Sequence, residues 1–174
     1  MDGLEIRDDK IPDQAVIEAF YAEVFPDEDL IPLVRLLLAE ETGILSLFGY
    51  VGDALAGHVL FTTCGVEGCS DPVSLLGPLA VAVGRQKQGV GGALVHDGFS
   101  RLKKTGAVRV FVLGDPLYYS RFGFAAENDV TPPFDLPPEW DGAWQSLDLV
   151  SDREPFAGRL VVPAPWRERN LWAP

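Results

Sequence analysis

Leu76-Gly77-Pro78-Leu79-Ala80-Val81-Ala82-Val83-Gly84-Arg85-Gln86-Lys87-Gln88-Gly89-Val90-Gly91-Gly92-Ala93-Leu94 is the stretch that decides the fold. An apolar run gives way to a glycine-rich turn, and the turn leads into a segment with helical spacing. Such a turn presents backbone N–H groups at the positive end of a helix dipole, where a phosphate is readily held. Glycine matters there because a Cβ would block the close approach of an anion and exclude positive φ values. The stretch predicts a strand–turn–helix unit that takes a phosphate-bearing ligand.

Spacing narrows the ligand. A mononucleotide P-loop needs Gly-Lys-Ser/Thr, which the chain lacks. A dinucleotide fingerprint needs a third glycine where Leu94 stands; Asp115, after the next strand candidate, keeps that reading open but weakened. What fits fully is Gln86-x-x-Gly89-x-Gly91, which resembles the Gln/Arg-x-x-Gly-x-Gly/Ala motif of the GNAT family of N-acetyltransferases. Downstream, Tyr119-Ser120-Arg121-Phe122-Gly123-Phe124 resembles the Tyr-x-Lys/Arg-x-Gly-Phe signature after the family's fifth strand. With Gly114-Asp115-Pro116 and the tandem tyrosines before it, the longer string is similar to a bacterial subgroup of acetyltransferases. Upstream, Leu55-Ala56-Gly57-His58-Val59-Leu60-Phe61 resembles the third strand. The three landmarks stand in family order between Ile44 and Phe124.

The resemblance implies a mixed α/β fold of α+β character. Its single central sheet is mostly antiparallel, has about seven strands, splays between the fourth and fifth, and is flanked by helices. It implies one domain over residues 1–174, and acetyl-CoA-dependent transfer of an acetyl group to a primary amine of a small molecule or peptide, directly and without a covalent enzyme intermediate. Carried over residue by residue, the cofactor would meet Leu79, Ala80 and Val81 along the fourth strand. It would then meet Gln86, Lys87, Gln88, Gly89, Val90, Gly91, Gly92 and Ala93 around the turn, and Tyr118, Arg121 and Phe122 after the fifth strand. Tyr119 matches the tyrosine that serves as general acid to the leaving thiolate; a phenol suits that task because its ordinary pKa lies near that of a thiol. Tyr118 is the competing candidate.

Two departures leave questions open. Many members carry a glutamate base on the fourth strand, whereas Val73 to Val83 holds no acidic residue. Glu67, Asp71, His58 or a water chain are the substitutes, and His58, inside an apolar strand, reads better as a core histidine. Asp115-Pro116 also stands where longer relatives often carry an asparagine that contacts pantetheine. A catalytically silent acyl-CoA-binding module and a nucleotide-dependent enzyme are the alternatives these departures keep alive.

Composition bounds the rest. The 174 residues are 47% hydrophobic and 23% charged, a globular balance with room for a substantial core. A net charge of −12 without a basic stripe argues against nucleic acid as a partner. Arg85 and Lys87 flank the glycine turn as a local positive mouth, while Arg101, Lys103 and Lys104 close the following helix, where they compensate its dipole. The acidic remainder favours a cationic amine. Cys64 and Cys69 are too few for a disulfide scaffold, and no Cys/His set suggests a metal. Neither a leader-like start nor an apolar run of about 18 residues is present, so the expectation is a cytoplasmic protein without a membrane partner. The resemblance leaves a homodimer open.

The expected elements follow from periodicity. Leu4 to Arg7 is a strand. Ala15, Val16, Ala19, Phe20 and Val24 mark the inner face of a first helix begun near Pro12. Leu30 to Glu41 is a second helix with Leu33, Leu36 and Leu37 inward, stopped by Gly43. Ser46 to Val51 and Leu55 to Thr63 form a hairpin, Val73 to Val83 is the long central strand, and Gly91 to Lys104 is a helix burying Leu94, Val95, Phe99 and Leu102. Val108 to Leu113 is a strand and Leu117 to Phe122 a short helix. The proline-dense Thr131 to Trp140 is a surface loop, and together with Phe25 to Leu30 it is where acceptor contacts are expected. Gln145 to Leu149 and Gly158 to Val162 are the last strands, paired with one another, and Trp166 and Trp172 sit in a tail that packs on the body.

Overall fold

Two-residue turns, each pairing a glycine with an acidic residue, join the long strands of the sheet. In the computed structural model, which describes residues 3–173, β1 (Leu4–Arg7) pairs antiparallel with β2 (Ile44–Val51), Leu4 opposite Val51 and Arg7 opposite Phe48. Gly52, at φ 62°, and Asp53 turn the chain into β3 (Ala54–Val66); Glu67 and Gly68, the latter at φ 80°, turn it into β4 (Cys69–Val81). Positive φ at the glycines is what such tight reversals require. Both long strands run through two compact units. One comprises Met1–Phe61 with Gly77–Ser100, the other Thr62–Leu76 with Arg101–Pro174.

The first unit orders its strands β1-β2-β3-β4. Helices α1 (Gln14–Val24), α2 (Ile31–Leu38) and the start of α3 (Val90–Lys104) belong to it. α1 buries Ile17, Phe20 and Tyr21, not the face expected from Ala15, Val16 and Ala19, which are exposed. Small alanines gave a periodicity that the larger side chains override, since burying Ile, Phe and Tyr removes more apolar area. Pro12 lies outside the helix, whose N-cap is Asp13. α2 is likewise shorter than expected and rotated: Val34 is buried with Leu33 and Leu37 while Leu36 is 51% exposed, and the helix ends before Gly43. α3 buries Leu94, Val95, Phe99 and Leu102, as its spacing predicts.

In the second unit β4 pairs in parallel with β5 (Arg109–Leu113), from Ser74↔Val110 to Leu76↔Val112. Gly77-Pro78 follows, and Pro78 has no N–H to extend a ladder; β4 runs on to Val81. α4 (Pro116–Tyr119) and a 3₁₀ turn at Ser120–Phe122 follow β5. β6 (Ala125–Ala126) and β5 both pair antiparallel with β8 (Trp144–Asp148). β7 (Val130–Thr131) pairs with β9 (Gly158–Val161), and β9 pairs with the end of β3. The last two long strands are therefore not partners, a correction to the sequence reading. The segment ahead of β8 carries the two short strands β6 and β7, which pair with β8 and β9 respectively, and the described strands number nine where about seven are expected. The tail tryptophans pack inward: Trp172 is 1% exposed, donates Nε1–H to Trp166 O at 2.9 Å and meets Trp144 edge-on, while Trp166 donates to Thr62 Oγ1 at 3.1 Å. Among the described residues no helix is long and apolar enough to cross a membrane.

Candidate active site

The glycine turn is built so that its amides are left over. At the end of β4, Ala82 N–H donates to Ala56 O on β3 at 2.8 Å. Strand alternation turns the Ala80 N–H the same way and those of Leu79 and Val81 away from β3. A 3₁₀ turn at Val83–Arg85 follows, closed by Arg85 N–H to Ala82 O at 2.8 Å. Gln86 Nε2 donates to Val81 O at 3.3 Å and Gln88 Nε2 to Gly84 O at 3.1 Å, so both glutamines spend their side chains on carbonyls of their own turn. Lys87, at φ 62°, and Gly89, at φ 88°, hold the left-handed conformation that curls successive N–H groups into a concavity. The ladder of α3 begins with Ala93 N–H on Gly89 O at 3.0 Å, so the amides of Val90, Gly91 and Gly92 precede it. Gln86 to Gly89 are exposed, and a Cβ placed on Gly84 or Gly89 meets no atom within 4 Å. The turn borders open space, with Arg85 and Lys87 beside it.

Gly57 seats this helix end, a role the sequence reading did not assign. A Cβ at Gly57 would come within 2.8 Å of Leu94 Cδ1, 2.9 Å of Val90 Cγ1 and 3.1 Å of Ala80 O. Only a residue without a side chain lets the first turns of α3 settle this closely onto β3 and β4. A glycine inside an apolar strand is the one signal that points to such an approach.

The tyrosine segment is made of side chains. Asp115 caps α4, its Oδ1 accepting from Leu117 N–H at 2.9 Å, with Pro116 as the first helical residue. The Tyr119 ring packs edge-on against Tyr118 at 5.0 Å and Phe124 at 5.7 Å, and lies 6.3 Å from Phe122. Burial, with a smaller contribution from Tyr118, pushes the Tyr119 phenol well above its usual range, so it holds its proton. Tyr118 is also raised by burial, against an opposing pull from Arg121, whose guanidinium stacks 4.5 Å from the ring centroid. Arg121 Nε donates to Tyr118 O at 2.9 Å and its side chain is exposed. Leu79 through Ala93 thus come together in the first unit, and Tyr118, Tyr119, Arg121 and Phe122 in the second.

His58 behaves as the core residue the sequence suggests. Tyr21 Oη lies 2.7 Å from its Nδ1 and Ser46 Oγ 2.8 Å from its Nε2; Phe48 stacks on the ring at 4.1 Å. Burial lowers its pKa to about 3, so the imidazole is neutral with both nitrogens engaged and has no lone pair free for a substrate. Asp71 is paired with Arg153 at 2.5 Å.

Comparison with known proteins agrees with this geometry. No protein-family model matches the chain. The uncharacterised N-acetyltransferase YjhQ of Escherichia coli strain K12 is 34% identical over 140 residues, 76% of this chain and 77% of that protein. The uncharacterised N-acetyltransferase YhbS of the same strain is 32% identical over 142 residues, 78% of this chain and 81% of its own. The crystal structure of E. coli YhbS in complex with CoA superposes with a TM-score of 0.82 at 28% identity, covering 95% of this chain and 92% of that one. A GNAT family acetyltransferase from Brucella melitensis in complex with acetyl-CoA gives 0.74 at 26%, covering 94% and 97%. With the strand–turn–helix unit, the mostly antiparallel sheet and relatives matched over three quarters of its length, the chain belongs to the GNAT family of N-acetyltransferases.

Proposed function

We propose that the protein transfers the acetyl group of acetyl-CoA to a primary amine of a small molecule or peptide, with the turn from Gln86 to Ala93 holding the cofactor diphosphate. The carrying observation is the turn itself: two residues at positive φ, amides that precede the α3 ladder, and glycines where a Cβ would point into open space. These features fit a phosphate group, and the solved relatives hold CoA and acetyl-CoA. Arg85 and Lys87 add positive charge beside it in a chain of net charge −12.

When bound, acetyl-CoA supplies an electrophilic thioester carbon and a thiolate leaving group. In this reading the N–H groups of Leu79 and Val81, which point away from β3, polarise the acyl oxygen, and Ala80 contributes by packing. Tyr118, Arg121 and Phe122 support the cofactor. Tyr119, kept protonated by its burial, gives its proton to sulfur as the C–S bond breaks and the new C–N bond forms, and recovers one from the amine through solvent. The same burial makes the phenol a weaker acid than the free side chain, at about 1.4 kcal/mol per unit, so the transfer must be coupled to bond breaking. No side chain is assigned as base: His58 is occupied, and an amine bound neutral needs only water.

The test is release of free thiol from acetyl-CoA across a panel of primary amines and peptide N-termini. Amine-dependent release above hydrolysis is expected for at least one acceptor class. Saturable CoA binding with no amine-dependent release across the panel would replace the reading with that of a silent acyl-CoA-binding module.

A further inference from the structure

We propose that Gly114 and Gln145 are positioning residues for Tyr119: the bare Cα of one and the buried amide of the other fix where the phenol points. This rests on the reading of Tyr119 as the proton donor. A Cβ at Gly114 would lie 2.4 Å from Tyr119 Cε2 and 2.9 Å from Cδ2, far inside the roughly 3.5–4.0 Å of favourable carbon contact. The tyrosine ring rests directly on the glycine backbone. It has little room to retreat, because Tyr118, Phe122 and Phe124 surround it.

Gly114 is itself held from both sides. Its N–H donates to Ala143 O at 3.0 Å, and its O accepts from Gln145 Nε2 at 3.1 Å. Gln145 lies on β8 opposite Val112 and is 1% exposed, and its amide also reaches Ala143 O at 3.4 Å. A buried carboxamide is unfavourable unless bonded, and this one bonds the backbone on which the ring rests. From Gly114 the path to Tyr119 is a single capped turn, with Tyr119 N–H on Asp115 O at 3.0 Å. The ring position is thus set by a glycine, a glutamine and one helical turn, and neither proposed residue needs to touch a reacting atom.

The test is a double-mutant cycle on amine-dependent turnover, with cofactor KM and a thermal melt recorded for each variant. Gly114→Ala should lower kcat by about 10²-fold, the cost of an ångström-scale misplacement, with KM for acetyl-CoA nearly unchanged. In a Tyr119→Phe background the same substitution should cost nothing further. Gln145→Met, which keeps size but removes the donor, should give a smaller loss that also vanishes in that background, and it serves as the probe should Gly114→Ala fail to fold. Full activity in both Gly114→Ala and Gln145→Met would overturn the inference. Losses that multiply with that of Tyr119→Phe would overturn it while leaving Tyr119 as the acid. A Tyr119→Phe enzyme at full rate would remove the acid reading, and the placement argument with it.

Discussion

The glycine turn and the tyrosine segment solve opposite problems with opposite materials. The turn is backbone: its glutamines are spent on its own carbonyls, its exposed residues border open space, and what it offers is a set of N–H groups. The tyrosine segment is side chain: three aromatic rings and a capped single turn hold one phenol against a bare glycine. A backbone site reads charge and tolerates variation in side chains that point away; a side-chain site depends on every neighbour that restricts one ring. Changes in the first region should therefore act on cofactor affinity, and changes in the second on turnover.

Gly91→Asp is the strongest attempt to break that division. A carboxylate in the first turn of α3 opposes the diphosphate both sterically and electrostatically, so CoA affinity should fall by about a hundredfold or more, roughly 2.7 kcal/mol. Calorimetry measures it, and affinity within threefold of the parent would remove the phosphate-cradle claim. Tyr119→Phe is the matching test of the other region. Turnover should drop by about 10²-fold while calorimetric CoA affinity stays unchanged; loss of affinity in step with rate would erase the distinction. Gly57→Ala sharpens the first half. Overpacking against Val90 and Leu94 should cost about 1–3 kcal/mol in denaturant unfolding and weaken CoA by tilting the α3 end, with the turnover of saturated enzyme largely retained.

His58 supplies a control outside both regions. Its folded pKa of about 3 lies below the ordinary 6.5, so the unfolded chain takes the proton first. The stability its neutral form contributes is complete above about pH 6.5 and is lost as pH falls toward 3, with a slope approaching about 1.4 kcal/mol per unit. His58→Leu should cost about 1–3 kcal/mol near pH 7 by leaving Tyr21 and Ser46 unpaired. The gap to the parent should close on acidification; a gap independent of pH between 6.5 and 4 would mean the imidazole is not buried neutral.

The same contrast governs what could be read from the chain before its structure. The turn was legible because its requirements are local: glycines at fixed spacing, an apolar strand before and a helical period after. His58 was legible for a similar reason, as a lone polar residue within an apolar strand. The packing of Tyr119 on Gly114 was not, because that contact depends on the angle of one short turn, and the Gln145 amide reaches the same backbone from another strand. Phe20, Leu33 and Leu37 are buried as their spacing predicts, whereas Ala15, Val16 and Ala19 on α1 and Leu36 on α2 are exposed, because tertiary burial chooses among neighbouring apolar stripes. Pairing of β8 with β5, and of β9 with β3, was hidden because strand neighbours across long loops leave no local mark.

Titration of the intact protein with CoA in a calorimeter addresses the central claim most directly, since the proposed acetyl transfer requires that this turn grip a diphosphate. A saturable one-to-one isotherm, weakened by rising salt and by about a hundredfold or more in Gly91→Asp, is the predicted result. Absence of heat up to millimolar CoA, or an isotherm indifferent to Gly91→Asp, would contradict it.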